Sequence, residues 1–335
     1  MHGRIHCLAG ASAAVKRLLL SFIVALTLSL TPTALPGVQP VVVIYATRNA
    51  PSFTIEQVRT NALGTARMVE ESSYGLHTLD VQAFGPFQVP LKTSTGLDSC
   101  RDANAYGKAA EDAARIVGVV FQSGVQPWIH SDCGHQFTLY TSSIPGAKRG
   151  LSSDGKMQGF LYGLSIGLPV AYAEVMPYTG TNPFDLYTPM GYMPKGGFNA
   201  HERWNKGWIA ASQVRADDEI PSGGTQFIET TETVPSGGIK LWRLSNGIEI
   251  DVRNFGLSQP TKRPPSIVTL HRGSLLDLDQ VNPCRDYTLL RGQIYTVGDG
   301  LGIRTESLAT DGSGAVVSVF PYRGPITARC AAGSK

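Results

Sequence analysis

Residues 163 to 167 read GLSIG, the G-x-S-x-G spacing in which two glycines permit the cramped turn that exposes a serine nucleophile between a strand and a helix. Ser165 would be that nucleophile. Hydrolysis would also need a carboxylate and a histidine further along the chain, an order that Asp251 with His271, or Asp185 with His201, satisfies. A second set of chemistry-bearing residues lies in HSDCGH at 130 to 135, where His130, Asp132, Cys133 and His135 are all of types that bind metal. Their spacing suits a strand or turn better than a zinc helix, and the same residues read equally as surface polar groups around a disulfide. After the N-terminal apolar run no two histidines stand four apart, the separation that puts a pair of ligands on one helix face.

Either chemistry needs elements that hold its groups still. PVVVIYATR, 40 to 48, reads as a buried strand, and in the next segment Thr54 stands three residues before Gln57, the capping-box spacing that opens a helix. HTLDVQAFGPFQVP alternates like a pair of half-buried strands broken at Gly85 and Pro86, and an Ala-rich amphipathic helix begins at Asp102. From about residue 215 the texture changes. TQFIETTETV, GIKLWRLS, GIEIDVRNFG, PSIVTLHRG, GQIYTVGDG, GIRTESLAT and GAVVSVFPY are short strand-like runs between Gly, Ser, Pro and Asn turns. In LSNGIEI the Asn-Gly pair predicts a hairpin closed by a type I′ turn. The chain therefore reads as α+β, a mixed first half followed by a β-rich, sandwich-like second half. That order counts against Ser165, because a hydrolase with such an elbow needs strands and helices to keep alternating after the nucleophile.

The 335 residues are 42% hydrophobic and 16% charged, enough apolar material for one large domain or two smaller ones. The net charge is +3 with lysines and arginines dispersed, so no basic stripe suits a phosphate backbone and nucleic acid is not an expected partner. Lys16 and Arg17 precede LLLSFIVALTLSL, an apolar run of signal-peptide length. Residues 1–36 are expected to be a signal peptide, cleaved between Thr31 and Gly37, with an uncleaved anchor as the alternative. No later stretch is apolar for long enough to span a bilayer, so the mature chain is expected to be secreted, extracellular and outside the membrane. Beyond the apolar run stand Cys100, Cys133, Cys284 and Cys330, an even count that predicts two disulfides in an oxidising compartment. Four cysteines allow three pairings. Cys100–Cys133 with Cys284–Cys330 is favoured because each bridge then stays within one half of the chain.

Between the two halves lies NPFDLYTPMGYMPKGGFNAHERWNKGWI, 182 to 209. It resembles the gametolysin or autolysin-type metallopeptidases, secreted zinc enzymes of the metzincin class. In that family the zinc helix H-E-x-x-H-x-x-G-x-x-H is followed by a turn containing methionine and then by a segment close to C-F-N-A-x-x-R-W-x-L-G-W. Met190 supplies the methionine turn, and Phe198, Asn199, Ala200, Arg203, Trp204, Gly207 and Trp208 match the last segment, with Gly197 where the family has a cysteine. SSYGLHTLDVQAFGPFQVP and GQIYTVGDGLGIRTESLATDGSGAVVSVF are similar to further stretches of the family, so the resemblance covers most of the chain after the apolar run.

The resemblance implies a metzincin-like mixed sheet with helices at 38–212, a β-rich domain at 213–332, and zinc as the family's cofactor. Placed by its glycine on Gly167, the zinc helix falls on FLYGLSIGLPVA. Phe160 then stands for the first histidine, Leu161 for the general-base glutamate, Leu164 for the second histidine and Val170 for the third. None of these side chains carries a lone pair for zinc, and without the glutamate no base remains to take a proton from bound water. The expectation is a pseudopeptidase with no cofactor, acting by binding an extracellular, cell-wall or matrix protein. Tyr192, two residues past Met190, resembles the metal-facing tyrosine of other metzincins and reads otherwise as a core tyrosine. His201 and Glu202 look like the start of a zinc motif and read otherwise as exposed. The alternatives are an active hydrolase using Ser165 and a metallopeptidase with a non-standard site at His130 and His135.

Overall fold

The computed structural model describes residues 37–121, 126–133, 138–141, 148–152, 162, 168, 188, 190, 197–217, 224–254, 266–272, 274–275, 289–297 and 300–324. The first half is built on β1 (Gly37–Thr47), α1 (Ile55–Ser72), β2 (His77–Gln88), α2 (Ala103–Ile116), β3 (Gln126–Ser131), β4 (Thr138–Thr141) and β5 (Lys148–Ser152). These strands make a five-stranded sheet in the order β2-β1-β3-β5-β4. β1 is parallel to both neighbours and β3 is parallel to β5, while β4 runs antiparallel at the edge. Parallel strands covered on both faces need a continuous apolar run, and β1 supplies one. Val41, Val43 and Tyr45 pack with Val58, Ala62, Ala66 and Val69 of α1. Val42, Ile44 and Ala46 pack on the other face with Tyr106, Ala110 and Ala114 of α2.

The helix starts are written locally. The Thr54 hydroxyl accepts from Gln57 N at 3.2 Å while the Gln57 side chain accepts from Thr54 N at 2.8 Å, the reciprocal bonds of a capping box. Asp102 caps α2 by accepting from Ala105 N at 3.0 Å. The expected break at Gly85 and Pro86 is a bulge rather than an end: β2 is one strand through both residues, but its register against β1 shifts between Ile44–Phe84 and Ala46–Phe87. Among the described residues it has no ladder partner on its outer side, so a proline is tolerated there. Gly85 takes φ +123°, and a Cβ on it would sit 2.4 Å from Tyr45 O, so only glycine lets the two strands pass this closely.

The second half contains β6 (Val214–Asp217), β7 (Gly224–Glu229), β8 (Leu241–Leu244), β9 (Glu249–Asn254), β10 (Ser266–Arg272), β11 (Ser274–Leu275), β12 (Ile294–Val297), β13 (Leu301–Leu308) and β14 (Gly314–Pro321). Sheets of order β11-β10-β9-β8-β6 and β12-β13-β14-β7 enclose a core that includes Trp242, Ile250, Val252, Val268, Leu270, Ile303, Val317 and Val319. Burying each such side chain contributes roughly 1.5–3 kcal/mol. The hairpin between β8 and β9 forms, but not with a type I′ turn. Gly247 N donates to Leu244 O at 2.9 Å and Leu244 N to Ile248 O at 2.7 Å, and of the Asn-Gly pair only Gly247 has positive φ, +81°. This is a type I turn followed by a left-handed glycine, the three-residue hairpin solution. Among the described residues no helix is long and apolar enough to cross a membrane.

Candidate functional site

Of the positions where the resemblance puts the zinc machinery, Phe160, Leu161, Leu164, Val170 and Tyr192 lie outside the described residues, as does Ser165. Their neighbours Tyr162 and Leu168 are described, and both are buried with Met190 in the cluster that joins α1, β1, Trp128, Phe198 and Trp208. The Tyr162 hydroxyl sits 2.5 Å from His77 Nε2 and donates to Gln39 Oε1 at 3.3 Å. Burial pushes that hydroxyl well above the usual tyrosine range, so it stays protonated. Burial, helped by nearby Lys206, also holds His77 below the ordinary histidine value.

The segment after the methionine turn is an intramolecular hub. α3 (Ala200–Asn205) is capped by Asn199, whose side chain accepts from Glu202 N at 2.8 Å while Glu202 Oε2 accepts from Asn199 N at 2.8 Å. Glu202 Oε2 also accepts from Thr188 Oγ1 at 2.5 Å, and Met190 N donates to Thr188 Oγ1 at 3.3 Å. The expectation that His201 and Glu202 are exposed fails for Glu202, which is 3% exposed because the cap turns it inward beside Thr188. Arg203 Nε donates to Phe198 O at 2.7 Å, and its guanidinium lies 5.1 Å from the Tyr74 ring centre. Trp204 and Trp208 do not share a helix face: α3 ends first, Gly207 turns the chain at φ +69°, and Trp208 packs 5.7 Å from Phe198.

The hub rests on the outer face of the sandwich. Glu249, Asp251 and Arg253 alternate along β9 on the face opposite the core, and all three are buried. His201 Nδ1 is 2.6 Å from Glu249 Oε2, Ala200 N donates to Asp251 Oδ2 at 3.2 Å, and Arg253 Nη2 donates to Gly197 O at 2.6 Å. Nearby, Lys240 Nζ donates to Thr230 O at 2.7 Å and Thr233 O at 2.9 Å and faces Glu229 at 3.4 Å. Burial lowers this lysine to about 8 despite the carboxylate. Sequence reading missed this row. Three charged residues at alternate positions of a six-residue strand read as a solvated face, whereas here they meet another part of the chain.

The second candidate metal site looks different once built. His130 on β3 is fully buried, its ring edge-on to Tyr45 at 5.3 Å and Phe53 at 4.9 Å, and His135 lies outside the described residues. Asp132 accepts from Arg48 N at 2.9 Å, from the Tyr106 hydroxyl at 3.1 Å, and from Thr47 Oγ1 and Asn49 Nδ2 at 3.3 Å. Burial opposes its ionisation, but these donors and the Arg48 charge hold its carboxyl below the usual range. Cys133 is bonded to Cys100, as the pairing argument expects, with Cα atoms 5.3 Å apart. Cys284 and Cys330 lie outside the described residues. Cys100, Asp132 and Cys133 are the only three metal-type donors among the described residues to lie within 4.8 Å of one another, and the two sulfurs are consumed by each other.

Zinc does not fit these residues. The positions that the resemblance aligns with the ligands offer hydrocarbon, and the one donor cluster among the described residues is a disulfide beside a carboxylate that already accepts from several groups. No protein-family model matches the chain. No curated protein matches it either.

Proposed function

We propose that the chain is a secreted, gametolysin-like protein whose peptidase site has lost its zinc ligands, and that it acts by binding an extracellular, cell-wall or matrix protein. The observation that carries this reading is a pairing of what is kept with what is lost. The segment around Met190 and FNAHERWNKGW is retained and tightly packed, while Phe160, Leu161, Leu164 and Val170 stand where three histidines and a glutamate are needed. The five-stranded sheet with its antiparallel edge strand β4 supports the metzincin-like part of the reading. Apolar replacements suit an emptied site, because an unpaired polar group buried there costs roughly 1–3 kcal/mol.

The test is incubation of the purified chain with casein and gelatin, with and without chelator and with a serine-directed phosphonate, beside co-sedimentation with insoluble wall or matrix protein. The expected result is retention on the insoluble protein without cleavage. Chelator-sensitive or phosphonate-sensitive cleavage would overturn the reading in favour of a metal site or of Ser165.

A further inference from the structure

The sandwich has a second outer face, away from the junction. In the sheet β12-β13-β14-β7, Ile303, Ala315, Val317 and Val319 point into the core, so the alternate positions point away from it. Aromatic rings lie on that outer face. Phe227 of β7 is 42% exposed and lies over Gly314, where an added Cβ would meet its Cζ at 2.5 Å. Tyr322, just past β14, lies over Gly302, where an added Cβ would meet its Cβ at 2.8 Å and its Cγ at 3.2 Å. Phe320 is the register partner of Gly302, and its ring centre stands 5.8 Å from that of Tyr322. Between the rings the face is polar. Thr225 and Ser318 are register partners with hydroxyl oxygens 2.8 Å apart. Arg304 donates from Nε and Nη2 to Glu306 at 2.8 and 2.7 Å, and its guanidinium sits 5.2 Å from the Phe320 ring centre.

The rings are spaced along the sheet rather than merged into one apolar patch. Phe320 and Val316, the partner of Phe227, are four residues apart, ~13 Å along β14. A protein partner's apolar core fits a continuous patch. A chain of sugar rings instead offers apolar C–H faces bordered by hydroxyls, which matches rings with polar groups between them. Charge points the same way. Among the described outward positions of the four strands, the charged side chains are Arg304, Glu306 and Glu229. Arg304 and Glu306 neutralise each other, and Glu229 is tied to Ser236 and Lys240. Arg323, exposed beyond Tyr322 and beside Gly300, adds one cation at the end of the strip. We propose that this face is a binding platform for a neutral polysaccharide, with Phe227 and Tyr322 stacking on sugar faces and Thr225, Arg304 and Glu306 bonding to the hydroxyls between them. A sugar hydroxyl suits both charged groups, since it donates to the carboxylate and accepts from the guanidinium N–H groups that Glu306 does not occupy. Phe320 has a supporting part, because Arg304 covers it and Tyr322 leans on its edge. Gly302 and Gly314 let the two stacking rings lie down on the sheet, where any side chain would lift them. The platform lies on the sandwich alone and does not depend on the loss of the peptidase site.

The test is affinity electrophoresis of the full chain in gels cast with hydroxyethylcellulose, laminarin, arabinoxylan or galactomannan, all neutral and free of protein, and with polygalacturonate as the anionic counterpart. Retardation by at least one neutral glycan, and none by polygalacturonate, is the expected result. Phe227→Ala and Tyr322→Ala are each expected to weaken that binding about tenfold, as loss of an aromatic anchor does. Ile116→Ala, which removes an exposed side chain from α2 in the other half, is expected to leave it unchanged. Should Tyr322→Ala not fold, Phe227→Ala decides, because its side chain is already part-exposed. The proposal is overturned by a chain that no neutral glycan retards, by retardation in polygalacturonate as strong as in any neutral gel, or by full retardation of Phe227→Ala. Loss of self-association in these variants with glycan binding intact, read by sedimentation velocity, would equally overturn it and make the face a contact between copies. Because the gels hold no protein, none of these failures touches the retention on wall or matrix protein, or the cleavage result, on which the proposed function stands.

Discussion

Two corners of the molecule solve the same problem, fixing a loop to the end of a sheet, by different physics. At the C-terminal ends of β1 and β3, a bridge between Cys100 and Cys133 closes the chain, and Asp132 gathers Thr47, Arg48, Asn49 and Tyr106 around it. Among the described residues the junction has no covalent tie. Gly197 stands where the resembling family has a cysteine, its carbonyl is taken by Arg253, and a Cβ added there would meet Arg203 Nη2 at 2.7 Å and Ser72 Oγ at 3.0 Å. Ser72 Oγ in turn accepts from Phe198 N at 3.2 Å. The bridged corner can leave its ions part-exposed, because a disulfide acts largely by restricting the unfolded chain. The junction buries the charges of β9 and pairs them, because there they are the attachment.

The contrast can be broken at either corner. The largest effect is expected from Cys100→Ser/Cys133→Ser, which reopens a loop of sequence separation 33. A loss of about 3.5 kcal/mol should appear as a lower urea midpoint with a steeper slope, because the unbridged chain unfolds to a more expanded state. Wild type in reductant should match it, while the junction contacts, probed by hydrogen exchange at 197–209, should persist.

Gly197→Ala attacks the other corner without touching a charge. The new methyl displaces the Arg203 guanidinium or Ser72, for an expected loss of about 2 kcal/mol. The same urea titration measures it, and an unchanged midpoint would mean that the close approach at Gly197 is not built into the junction. The smallest effect is reserved for Asp98→Asn. Its ion pair with Arg48 at 2.8 Å is half exposed and Arg48 keeps Asp132, so less than about 0.5 kcal/mol should be lost. A loss as large as that of the bridge would show that the first corner, too, depends on its charges.

What the sequence made legible was what neighbouring residues decide among themselves. Thr54 with Gln57 writes a helix start in four residues, and Asp102 another, because both caps bond to backbone within three positions. The apolar run of β1 declared a strand buried on both faces. Elsewhere a local signal had two solutions: Asn246-Gly247 fits a type I′ turn and also a type I turn completed by Gly247, and the register of β8 and β9 chose the second. Gly85 and Pro86 interrupt the ladder without ending the strand, because a bulge absorbs them and β2 resumes its pairing with β1 at Phe87. The charged row of β9 was illegible for a deeper reason. Alternation tells which residues share a face but not what will cover it, and the covering segment comes some fifty positions earlier, the separation of Ala200 and Asp251 being 51. Of the site implied by the resemblance, Met190 lies in the core, whereas the aligned ligand positions fall outside the described residues.

On the proposed reading the chain builds no zinc site, and the most direct measurement is the metal content of the purified, dialysed protein. Zinc far below one ion per chain, unchanged after Met190→Ala, is the predicted result. One tightly held zinc per chain, lost together with casein cleavage on chelation and in His130→Ala or His135→Ala, would contradict it and make the HSDCGH stretch the active site.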